Sequence, residues 1–302
     1  MSTTAPSWAT GREGRVDVPG GWVWYEERGD GPQAILLLHG GPGASSDYLE
    51  PLMAPLAERG YRVVRYDQLG SRRSAQPDDA SLWNTPRFVA EVDAVRQALG
   101  LGRVHLLGQS WGSWLALDYA LAHPEGLASL TLASGAASTA QCVAGMNRWR
   151  EALDPGQQTA LARCEAAEDW QDPDYKAAMD ELYRRHLCRL DPWPEALLES
   201  DRHLAMPVYT AMWGPAEFTC TGNLRDWDRT DRLGEVRVPT LVTVGRWDEV
   251  SPECAETLHR GIAGSRLARF EASSHVAHLE EPERYLEVLA GFLADVDAAG
   301  AA

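Results

Sequence analysis

The sequence predicts an α/β protein: a mostly parallel, doubly wound sheet of about eight strands with a helical cap inserted into it. Three observations carry this. Short apolar runs alternate with segments of helical spacing through the first 135 residues, the pattern of a sheet covered on both faces. Ala34–His39 reads Ala-Ile-Leu-Leu-Leu-His, a continuous apolar run of the kind a strand buried on both sides requires. The alternation stops near Ala136 and resumes at Thr240, leaving between them a stretch rich in tryptophan and arginine. The expected organisation is core over 1–135, helical cap over 136–233 and core again over 234–302, which a chain of 302 residues can accommodate.

The elements follow in order. Arg15–Val18 and Trp22–Arg28 alternate in polarity around Pro19-Gly20-Gly21 and predict an opening hairpin. After the Ala34–His39 strand, a helix is expected over Asp47–Arg59, with prolines near its start and middle. Arg62–Tyr66 is the next strand. Pro86 suits the first position of a helix to Leu99 whose apolar stripe is Phe88, Val92, Val95 and Leu99. Arg103–Leu107 is a strand, a helical pattern starts at Trp111, and Ser129–Ala133 is another strand. Asp-Pro pairs at Asp154, Asp172 and Asp191 punctuate the cap. The sheet pattern returns with Thr240–Val244, a helix from Pro252, a strand at Arg266–Phe270 and a closing helix from Pro282 to about Asp295.

Charge and composition exclude several functions. The net charge is −16 with a pI near 4.9, and Lys176 is the one lysine. Such a chain repels phosphate backbones and anionic lipid, so no nucleic acid or membrane partner is expected, whereas a cationic substrate would be attracted. No run approaches the length of a bilayer span, and Met1–Trp8 lacks the basic-then-apolar pattern of a secretory signal, so a cytoplasmic location is expected. Cys142, Cys164, Cys188, Cys220 and Cys254 fit neither a zinc site nor a Cys-x-x-Cys pair. Reduced thiols, no metal and no cofactor are the expectation; the oligomeric state is left open.

The chemistry centres on Gly108-Gln109-Ser110-Trp111-Gly112, a Gly-x-Ser-x-Gly pentapeptide between a strand and a helix. A turn this tight strains its central residue and holds the Ser110 hydroxyl clear of the sheet, and a Cβ at either glycine would strike neighbouring backbone. Alone, such a pentapeptide is often an ordinary glycine-rich turn. A serine hydroxyl also needs a base, and the base an orienting carboxylate. Asp248 follows the strand Thr240–Val244, and His275 follows Arg266–Phe270, so both are expected where functional residues of parallel sheets gather. The order serine, acid, histidine is that of the α/β-hydrolase fold. His278 competes with His275 but lies nearer the last helix. Two N–H donors would form the oxyanion hole, that of Trp111 and one from Gly40-Gly41-Pro42-Gly43, for which Gly41 is the candidate. With a histidine of ordinary pKa as base, activity should fall below about pH 6.5.

The chain resembles the proline iminopeptidases over nearly its whole length. The resemblance is carried by His39-Gly40-Gly41-Pro42-Gly43, Asp67-Gln68-Leu69-Gly70, Gly108-Gln109-Ser110-Trp111-Gly112, Gly245-Arg246-Trp247-Asp248-Glu249 and Ser274-His275. A block from Trp213-Gly214-Pro215-Ala216-Glu217-Phe218 to Asp226-Trp227-Asp228 adds to it. It implies a serine aminopeptidase that releases an N-terminal residue, often proline, from short peptides. It also implies that Glu217 and Glu249 hold the substrate's free amine. The physics agrees, because an α-amino group is largely protonated near neutrality and is costly to bury without a carboxylate.

One departure is Arg72, where the family has glycine in Asp-Gln-x-Gly-x-Gly-x-Ser. Two other readings stay open: an amidase or esterase acting on small amino-acid derivatives or a biosynthetic intermediate, and a ligand receptor that kept the fold without turnover. Trp111, Trp213 and Trp247 are expected to line the crevice between cap and sheet.

Overall fold

The computed structural model describes residues 11–300; the stretch Met1–Trp8 read above lies outside them. Eight strands form one sheet in the order β1-β2-β4-β3-β5-β6-β7-β8. β1 (Arg12–Val18) and β2 (Gly21–Arg28) form the antiparallel hairpin, and β2 pairs antiparallel with β4 (Tyr61–Tyr66). From β4 onward every pairing is parallel, through β3 (Gln33–Leu38), β5 (Val104–Gln109), β6 (Leu127–Ala133), β7 (Thr240–Gly245) and β8 (Arg266–Phe270).

β3 shows why its sequence has no polar alternation. Leu36 and Leu38 pack into one core with Val64, Leu106, Phe88 and Leu115, while Ile35 and Leu37 pack into a second with Val63, Met53, Leu56 and Phe292. The helices responsible are α2 (Thr85–Ala98) and α3 (Trp111–Ala122) on one face, and α1 (Met53–Ala57) with α11 (Pro282–Gly300) on the other. Asn84 caps α2 by accepting the Arg87 N–H at 3.0 Å, so the helix begins at Thr85, one residue earlier than Pro86 would by itself suggest.

Three elements differ from expectation. The helix expected over Asp47–Arg59 is a 3-10 segment, Ser46–Leu52, followed by the short α1. Pro51 and Pro55 each lack an N–H and crowd the preceding turn, so a regular α-helix cannot run through. β5 extends to Gln109, because Gly108 and Gln109 still pair with Leu132 and Ala133 of β6. After α9 (Pro252–Gly261) and the one-turn α10 (Ala277–Glu280), α11 continues past Asp295 to Gly300.

Between β6 and β7 the chain leaves the sheet for five α-helices: α4 (Thr139–Glu151), α5 (Pro155–Ala167), α6 (Pro173–Leu182), α7 (Glu195–Arg202) and α8 (Met206–Met212). A single π-helical turn, Tyr183–Leu187, follows α6. Asp154 and Asp172 cap α5 and α6 through their carboxylates, whereas the third Asp-Pro, at Asp191, opens no helix. The two ends of the excursion are tied together, since Thr139 donates its N–H to Trp227 O (3.0 Å) and its hydroxyl to Leu224 O (2.7 Å).

The excursion is held to the core by aromatic packing and charge. Trp114 of α3 stacks on Trp227 at 4.7 Å and meets Trp213 edge-on at 5.7 Å. Asp118 accepts from Trp227 Nε1 (2.9 Å) and pairs with Arg229. Arg72 makes a further tie, bridging Asp47 (2.6 Å) and Glu199 of α7. All five cysteines are unpaired thiols. Among the described residues no helix is long and apolar enough to cross a membrane.

Candidate active site

Parallel pairing brings the carboxyl ends of β3, β5, β7 and β8 to one rim, and the loops beyond them carry the polar residues of interest. Ser110 follows β5 directly. Its backbone stands at φ 56° and ψ −126°, in the left-handed region that a side chain rarely adopts. The flanking glycines explain how this is accommodated. A Cβ on Gly108 would sit 2.0 Å from Gly112 O, and one on Gly112 would sit 2.2 Å from Leu38 O. Trp111 begins α3, so its N–H has no acceptor within the helix and is available to a ligand at the helix N-terminus.

Asp248 lies three residues past β7 and is fully buried. His275 lies five residues past β8, and its Nδ1 donates to Asp248 Oδ1 at 2.7 Å. The same oxygen accepts the Val250 N–H at 2.9 Å, so the carboxylate is fixed on two sides. His278 does something else: its Nε2 donates to Tyr48 O at 2.9 Å, and burial pushes its pKa down to about 4, so it stays neutral. The Ser110 hydroxyl makes no hydrogen bond with the described residues; it opens, with His275, into a cavity of about 610 Å³. Apo geometries of this kind are commonly loose and tighten on substrate binding.

Two further carboxylates line that cavity. Glu249 is buried, with Oε1 3.4 Å from His275 Nε2 and Oε2 unpartnered. Glu217 arrives from the excursion after α8, and Tyr209 donates its hydroxyl to Glu217 Oε2 at 2.5 Å. Burial raises both glutamate pKa values. The charges of Glu217 and Asp248 add to the rise of Glu249 and the imidazole opposes it, while the Tyr209 hydrogen bond and the imidazole oppose the rise of Glu217. Burial alone would lower the His275 pKa, but the charges of Asp248 and Glu249, the Asp248 hydrogen bond and the more distant Glu217 raise it to about 9. This revises the expectation of an ordinary histidine near 6.5: with the site empty, the imidazole is protonated at neutral pH.

Gly41 lines the 610 Å³ cavity and also a much narrower pocket that shares Ser110 and Glu217 with it and is walled by Trp111, Trp114, Met146, Trp213 and Val250. Its φ of 105° and a built Cβ 2.5 Å from Ala44 N leave room only for glycine. The loop around it is held by the other sequence motifs. His39 accepts the Gln68 N–H at Nε2 (2.9 Å), Gln68 donates back to His39 O (2.8 Å), and Gln68 Oε1 accepts Trp111 Nε1 (2.9 Å).

Several residues at the site were not anticipated. Tyr48 accepts the Gly40 N–H (2.7 Å) and donates to Gln109 Oε1 (2.5 Å), and Gln109 in turn donates to His275 O (3.0 Å). That chain ties the glycine loop to the histidine loop. From the excursion, Trp149 Nε1 donates to Asp248 O (3.0 Å), and His186 donates to Trp247 O (2.8 Å) while its carbonyl accepts the Glu249 N–H (3.1 Å). Gln109 stood in the sequence motif; nothing in the sequence marked Tyr48, Trp149 or His186. Trp247 is a correction. It does not line either cavity: its ring lies against Arg189 and Arg246, and its carbonyl accepts from His186. Trp193 and Trp114 take the place expected of it.

Comparison with known proteins gives a consistent picture. Residues 33–282 match the family model described as alpha/beta hydrolase fold. The chain is 40% identical over 264 residues to a proline iminopeptidase of Saccharolobus solfataricus, covering 87% of this chain and 85% of that one. Among solved structures, VinJ aligns with a TM-score of 0.91 at 38% identity, over 94% of this chain and 99% of that one. The proline iminopeptidase of Mycobacterium smegmatis aligns at 0.89 and 35%, over 96% and 100%.

Proposed function

The chain belongs to the α/β-hydrolase family and, within it, to the proline iminopeptidases, and from that premise we propose that it is a serine aminopeptidase releasing an N-terminal residue, with proline preferred, from short peptides. The observation that carries this reading is the Asp248–His275 bond at 2.7 Å, set in one cavity with Ser110 and two glutamates. In this mechanism Ser110 Oγ attacks the first carbonyl carbon while His275 Nε2 takes its proton. The Gly41 and Trp111 N–H groups bind the oxyanion. The imidazolium then gives its proton to the departing amine, and water, activated by the same imidazole, hydrolyses the acyl-enzyme. Asp248 keeps the Nδ1 proton in place throughout.

Glu217 and Glu249 bind the substrate's ammonium and so fix a one-residue register. The narrow pocket walled by Trp114, Trp213, Met146 and Val250 presents an apolar surface against which the first side chain or ring packs. Residues 136–233 act as a cap that closes over the site. Pro-p-nitroanilide and its N-acetyl derivative test the reading: rapid release from the first alone supports it, and equal release from both refutes amine recognition.

One observation favours a second reading. No arginine or lysine is among the residues lining the 610 Å³ cavity, whose far wall is Leu187, Trp193, Leu197 and Leu204. A free carboxylate on the leaving group finds no partner there, whereas an uncharged amide or ester does not need one. An amidase or esterase acting on amino-acid derivatives would use the same site, and comparing Pro-Phe with Pro-Phe-amide separates the two.

A further inference from the structure

The empty site contains an electrostatic conflict. Nε2 of His275 has to be unprotonated and directed at Ser110 for the serine to be activated. In the structure its charged neighbour is instead Glu249 Oε1, 3.4 Å away, close enough for charge interaction but not aligned as a hydrogen bond. Glu249 is 1% exposed, and its second oxygen is buried without any partner. Two unpaired carboxylate oxygens, this one and Asp248 Oδ2, therefore flank one imidazole in a site that water scarcely reaches.

The charged and titratable groups around the imidazole are all acidic or neutral. Asp248 and Glu249 come from the loop after β7, Glu217 and Tyr209 from the excursion, Asp201 from α7 and Tyr48 from the segment before α1. His278, one turn beyond, is kept neutral by burial. With no lysine or arginine lining the cavity, the imidazolium is the one cation the described residues offer to these carboxylates.

We propose that Glu249 is an interlock as well as an amine ligand: in the empty site its charge keeps Nε2 of His275 protonated, and the substrate's ammonium, by taking Glu249 over, frees Nε2 to act as the base. The exchange balances. One cation enters the cavity, the imidazolium proton leaves to solvent, and the net charge of the site is unchanged. No covalent bond of the protein is altered. A neutral acyl compound can bind but carries nothing to displace that proton, so the amine is read twice, once in affinity and once in turnover. The imidazole held at about 9 in the empty site is consistent with this. A tenfold gain in the imidazole's acidity raises the fraction unprotonated at pH 7 nearly tenfold. The inference rests on the amine-binding reading of Glu249 above.

The test uses an uncharged ester, p-nitrophenyl isobutyrate, with methylammonium chloride against sodium chloride at equal ionic strength. We expect methylammonium to raise kcat for the ester several-fold at pH 7 and to move the acid limb of kcat downward from near 9. In Glu249→Gln the limb should lie low from the start, and the amine should have no effect. Simple competitive inhibition by methylammonium, or the same acid limb under all conditions, overturns the interlock. A second measurement needs neither turnover nor the variant: the His275 imidazole titration followed by NMR, with and without methylammonium. A titration near 9 that falls when the amine is added supports the interlock; one that does not move contradicts it. Failure of the aminopeptidase reading would show separately, as no turnover of Pro-p-nitroanilide by the wild type.

Discussion

The two walls of the cavity are built on different principles. Ser110, Asp248 and His275 hang from the ends of parallel strands whose register is fixed by hydrogen bonds and by side chains buried on both faces. Glu217, Tyr209 and Trp193 come from the helical excursion, which is fastened to the core at a handful of points such as Trp114 on Trp227 and Arg72 on Glu199. The sheet wall is rigid and carries chemistry common to any acyl substrate. Apart from the bonds of Trp149 and His186 to the 247–249 loop, the excursion wall holds none of the three groups that do the acyl chemistry, and it faces the parts of a substrate that differ. The division predicts that changes at Ser110, Asp248 or His275 abolish turnover indiscriminately, whereas changes in the excursion, and at Glu249, the one amine ligand that the sheet wall contributes, alter the ranking of substrates.

The largest effect should come from Ser110→Ala. It removes the nucleophile, and kcat should fall by about 10⁴-fold or more for esters, anilides and peptides alike, measured by chromogenic release. Asp248→Asn should be nearly as severe, because it disturbs the proton on His275 Nδ1. Selective damage to one substrate class by either change would break the comparison.

Glu217→Gln sharpens it from the other side. Loss of one charge-assisted contact, about 1.5–3 kcal/mol, should lower kcat/KM for Pro-p-nitroanilide about 10- to 100-fold and leave an uncharged ester nearly untouched. Trp149→Phe tests the border between the walls, since it deletes one hydrogen bond to the Asp248 carbonyl. A cost of about 1 kcal/mol, seen as a roughly five-fold fall in kcat with KM unchanged, is expected. The smallest effect belongs to Arg72→Gly. Its pairs with Asp47 and Glu199 are partly solvated, so the loss should be at most about 1 kcal/mol, or about 2 °C in Tm by calorimetry.

The same division explains what could be read from the sequence. The α/β-hydrolase fold and the family were legible because continuous apolar runs such as Ala34–Leu38 mark strands buried on both faces. The required glycines of the Ser110 turn also leave a pattern in the chain. The approximate places of Asp248 and His275 followed from counting onward from strand ends. The helix expected over Asp47–Arg59 failed because Pro51 and Pro55 outweigh its periodicity. The grip of Trp149 and His186 on the 247–249 loop was invisible, because it joins residues at least 61 positions apart through backbone carbonyls that any sequence possesses. Trp247 misled for a related reason: proximity to a functional residue says nothing about which way the ring turns. Likewise, composition could not reveal that three carboxylates crowd one imidazole and carry it well above its ordinary pKa.

The most direct test is kcat/KM for Pro-p-nitroanilide and for N-acetyl-Pro-p-nitroanilide, measured on the wild type and on Glu217→Gln. A preference for the free amine of about 100-fold or more in the wild type, falling at least ten-fold in the variant while the acetylated substrate keeps its rate, is the predicted result. Equal rates on both substrates in the wild type, or a variant that slows both to the same degree, would contradict the assignment of chemistry to the sheet and selectivity to the excursion.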